Sequence, residues 1–163
     1  MPRALSILFI YFSIFVITVS PLALTTSMNI NGEMMPNLAL CIVYFCSVQC
    51  RVGIWQIFLY GIFTSEIYGT PLGVDSLLFT ALYLILVKYR AILLSQKPLP
   101  HLIVFTWVVI LFNILQYLII SEYYNYHFDL VPILIQTITT ILFYPAIQLI
   151  MERLVYSSEA AES

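Results

Sequence analysis

The stretch Gly61-Ile-Phe-Thr-Ser-Glu-Ile-Tyr-Gly-Thr-Pro-Leu-Gly-Val-Asp75 joins two apolar runs through a short polar break, and its reading decides the fold. Gly61, Ser65, Gly69 and Gly73 recur at every fourth position. In an apolar helix this spacing makes a row of small side chains along which another backbone can approach closely. Thr70-Pro71-Leu72-Gly73 has proline at the second place and glycine at the fourth, which predicts a tight turn. The stretch is therefore expected to form a helical hairpin. Asp75, just beyond the turn, caps or opens the second helix. Glu66 lies close to the end of the first helix and is expected to reach water from there.

The rest of the chain sets the environment of this hairpin. Of 163 residues, 62% are hydrophobic and 9% charged, against roughly 25% charged in an average soluble domain. The apolar runs are too long and too many for one soluble core of this size, so the sequence predicts an all-α integral membrane protein. Six runs are expected to span: 4–24, 34–50, 52–68, 74–94, 102–120 and 131–151. They form one domain over 1–156, followed by a short acidic tail at 157–163. The run 4–24 is longer than the apolar region of a typical signal peptide and is read as a span.

Charge gives the orientation. Arg3, Arg51, Lys88, Arg90, Lys97 and Arg153 all fall on one side of this six-span arrangement, and the three alternate loops contain no Lys or Arg. By the positive-inside rule both termini are cytoplasmic, and the 70–73 turn faces outward. Trp55 and Trp107 near the cytoplasmic ends of their helices, and Tyr123, Tyr124 and Tyr126 in an outer loop, suit interfacial aromatic belts. A net charge of −2 with scattered cations offers no basic patch for nucleic acid.

Uncharged polar residues follow helical rows: Gln56, Tyr60 and Thr64; Ser76, Thr80 and Tyr83; Asn113, Gln116 and Tyr117; and Gln136, Thr140, Tyr144 and Gln148, with Thr137 beside the last row. Such rows serve either as hydrogen-bonding contacts between helices or as the lining of a solute cavity, and the first is the commoner use in lipid. No ionisable residue falls at the middle of a span, which counts against ion-coupled transport. Cys41, Cys46 and Cys50 lack the spacing of a metal or redox site and are read as small apolar fillers. His101 and His127 have no evident catalytic partner, and no HExxH, GxSxG, P-loop or GxGxxG motif is present. Neither an enzymatic activity nor a cofactor is expected. Pro145 is expected to kink the last span.

These features resemble the bacterial rod shape-determining protein MreD family. Its early helix opens on Arg-Pro-Asn-Leu, matched here by Met35-Pro36-Asn37-Leu38 without the Arg, and Arg51 matches an Arg that ends that helix. A following Gly-x3-Asp-x3-Gly-x3-Gly pattern matches Gly61, Ser65, Gly69 and Gly73, with Ser65 at the Asp position and Glu66 one residue later. The match is best over 36–87. The resemblance implies a non-enzymatic subunit of the cell-elongation (rod) complex, or elongasome, in the bacterial inner membrane. It would bind the periplasmic coiled-coil protein MreC, and through it the actin-like MreB and the glycosyltransferase and transpeptidase of peptidoglycan synthesis. The family's fold is similar to that of the substrate-binding subunits of energy-coupling-factor transporters. The expected partner-facing and helix-packing residues are Gly61, Ser65, Glu66, Gly69, Pro71 and Gly73, with Pro36, Asn37 and Arg51 as family-motif positions. The alternative function is a small-solute-binding, vitamin-like transporter subunit.

Overall fold

The computed structural model describes residues 36–49, 52–68, 70–95, 98–124 and 130–160. The expected span at 4–24, together with Arg51 and Gly69, lies outside the described residues. The described chain is helical: α1 (Leu38–Val48), α2 (Ile54–Tyr68), α3 (Val74–Ser95), α4 (Pro98–Tyr124) and α5 (Leu130–Ala160). Three segments, Val74–Leu94, His101–Tyr124 and Leu130–Arg153, are long and apolar enough to cross a bilayer, which makes this a membrane protein.

The first two helices are shorter than their apolar runs, because capping residues stop them. Asn37 is the N-cap of α1, its Oδ1 accepting from the Leu40 N–H at 3.0 Å. At the other end Arg90 Nη2 donates to the Gln49 carbonyl at 3.1 Å, placing a cation on the negative end of the helix dipole. That leaves 11 residues, about 16 Å of helix, little more than half of what a membrane-spanning helix of about 30 Å requires. Every residue from Ala39 to Val48 is buried. α2 begins at Gly53, whose N–H donates to Gln56 Oε1 at 2.9 Å while its carbonyl accepts from the Gln56 N–H at 3.0 Å. Gln56 is thus a capping residue at the helix start, not a member of an interhelical polar row.

α3 packs against α2, α1 and α4, and α5 packs against α4 and α1. The core follows this order. Phe79 of α3 stacks on Phe112 of α4 with ring centroids 5.1 Å apart. Tyr44 of α1 meets His101 and Phe105 of α4 and Tyr144 of α5 edge-on. α5 tolerates Pro145 in its interior and runs to Ala160.

The polar rows of α4 and α5 join helices. Asn113 Nδ2 donates to Thr137 Oγ1 at 3.0 Å, and the Asn37 N–H donates to Thr140 Oγ1 at 2.9 Å. The Thr140 hydroxyl in turn donates to the Gln136 carbonyl at 2.6 Å. With no water in the hydrocarbon, each such bond fixes a neighbour, because the alternative is an unsatisfied group.

Candidate functional site

The site grows from the contact of α2 with α3. α2 buries four residues, Ile57, Gly61, Thr64 and Ser65, which form one ridge. At its centre the two backbones come so close that a Cβ on Gly61 would lie 2.3 Å from Ser76 Cα. The hydroxyls of the ridge turn inward, Thr64 Oγ1 to the Gly61 carbonyl at 2.9 Å and Ser65 Oγ to the same oxygen at 3.0 Å. This spares the polar side chains of a tightly packed helix from needing water.

The turn follows directly. The Thr70 N–H reaches back to the Ser65 carbonyl at 3.1 Å, the long closing bond of a Schellman-type helix end. The Val74 N–H then donates to the Pro71 carbonyl at 3.2 Å. The turn is therefore Pro71-Leu72-Gly73-Val74, one residue later than the sequence pattern indicates. Gly73 occupies its third place with φ +97°, as a type II turn demands. No atom lies within 4 Å of an added Gly73 Cβ, so glycine is needed there for its backbone, not its size.

Asp75 opens α3 directly beneath this turn, and it is 2% exposed. Thr70 Oγ1 donates to its Oδ2 at 2.7 Å, and Ser65 Oγ lies 3.3 Å from the same oxygen. Ser65 has one proton for two acceptors, the carboxylate and the Gly61 carbonyl. From α4, Gln116 Nε2 donates to Asp75 Oδ1 at 2.8 Å. The carboxylate is thus a hub joining the end of α2, the turn, the start of α3 and the middle of α4. The N-terminus of α3 adds its positive dipole end.

A carboxylate this buried persists because three donors, Thr70, Ser65 and Gln116, surround it.

The remaining predicted residues separate into two groups. Ser65 turns into the hub, whereas Glu66 is exposed on the opposite side of α2. Pro36 and Asn37 lie at the start of α1, where Asn37 both caps the helix and ties it to α5. Two arrangements were not evident in the sequence. One is the Thr70–Asp75–Gln116 network, whose only local signal is a threonine five residues before the acid. The other is at the far end of the bundle, where Tyr144 Oη lies 3.3 Å from His101 Nδ1 and Tyr44 Oη donates to the His101 carbonyl at 3.4 Å. Among the described residues no cluster of three or more His, Cys, Asp or Glu is arranged to hold a metal. Cys41 and Cys46 are buried.

No protein-family model matches the chain, and no solved structure matches it significantly. An uncharacterized protein of Rickettsia prowazekii (strain Madrid E) is 28% identical over 142 residues, covering 85% of this chain and 79% of the relative.

Proposed function

We propose that this chain is a non-enzymatic scaffold subunit of the bacterial cell-elongation complex, an MreD-like protein of the inner membrane with six spans and cytoplasmic termini. In this reading the α2–α3 hairpin is the part built to hold a fixed shape for a partner, an MreC-like periplasmic coiled-coil protein. Through that partner the chain helps to organise MreB and the enzymes of lateral wall synthesis. The observation that carries the reading is the position of Gly61 and Ser65. Both stand where the family pattern has its glycine and aspartate, and both line the α2–α3 crossing. A carboxylate also stands at the Ser65 position in space, supplied across the crossing by Asp75. The family's acid is in this sense moved to the neighbouring helix, while Glu66 points elsewhere.

Depletion of the protein from a rod-shaped host tests the reading: cells round up if it is right, and retained rod shape refutes it. A bulky β-branched residue at Gly69 or Gly73 is expected to abolish copurification of the coiled-coil partner without affecting membrane insertion.

A second reading, a small-solute-binding subunit of a transporter, is favoured by buried polar atoms that lack a partner. Tyr68 Oη, Thr80 Oγ1 and Asn113 Oδ1 have none among the described residues. Mass spectrometry of the purified protein distinguishes the two, since a stoichiometric vitamin-sized molecule supports the transporter reading.

A further inference from the structure

We draw no further inference here: the strongest candidate, the buried side-chain cluster of Asp75, Ser65, Thr70 and Gln116 where α2, the turn, α3 and α4 meet, belongs to the site already described, and its three donors already account for the buried carboxylate.

Discussion

Replacing Gly61 by alanine isolates the closest contact in the molecule. The added Cβ would lie 2.3 Å from Ser76 Cα and 2.7 Å from Ser76 N, and both are backbone atoms that no rotamer change can move. Restoring ordinary contact, at about 3.4 Å, requires α2 and α3 to separate by about 1 Å. That displacement also stretches the 3.3 Å approach of Ser65 Oγ to Asp75 Oδ2 beyond hydrogen-bonding range. Overpacking of this kind costs about 1–3 kcal/mol, and the weakened hydrogen bond adds about 1 kcal/mol. Alanine is the better helix former by about 1 kcal/mol, which opposes the loss. The net expectation is a destabilisation of about 2 kcal/mol, a roughly 30-fold fall in the folded-to-unfolded ratio. Reversible unfolding in mixed detergent micelles measures it, with Gly53→Ala as control because a Cβ there meets nothing closer than Gln56 Oε1 at 3.8 Å. A Gly61→Ala protein as stable as its parent would refute the close crossing, since helix propensity alone predicts a gain.

Three further substitutions examine the other parts of the hairpin and its surroundings. Gly73→Val is expected to cost about 1–3 kcal/mol through its φ of +97° alone, and Gly73→Asn clearly less, in the same unfolding assay; equal effects would indicate a steric cause instead. Asp75→Ala strands the donors of Thr70 and Gln116 and is expected to cost about 2–4 kcal/mol. In a double-mutant cycle, Gln116→Leu on the Asp75→Ala background should then cost less than it does alone, and strict additivity would exclude the bond. Asn37→Ala removes the cap of α1 for about 0.5–2 kcal/mol, detectable as faster amide exchange at Leu40 while the exchange of α3 is unchanged.

What the sequence made legible depends on what each residue answers to. Helical, membrane-crossing character was visible because hydropathy is a sum over many residues; α3 and α4 begin and end near the apolar runs that predict them, whereas α5 begins with its run and continues past it to Ala160. α1 and α2 are shorter than their runs because single side chains, Asn37 and Gln56, stop a helix where the composition stays apolar. The small-residue spacing pointed to Gly61, but spacing cannot say which backbone fills the gap. That partner is Ser76, near the start of the next helix. Asp75 looked like an ordinary helix opener because its local neighbours account for that role completely. Its burial depends on Gln116, and a contact across so much sequence leaves no periodic trace.

The hub also explains why the small residues and the acid occur together. In lipid there is no hydrophobic drive to hold α2 against α3, so the crossing depends on close packing and on bonds made out of reach of water. Glycine at position 61 permits the approach, and the approach brings Ser65 to Asp75. The buried carboxylate in turn is tolerated only while Thr70, Ser65 and Gln116 converge on it, and convergence requires the turn set by Gly73. Each element is thus a condition for the next, which makes the hairpin rigid as a unit.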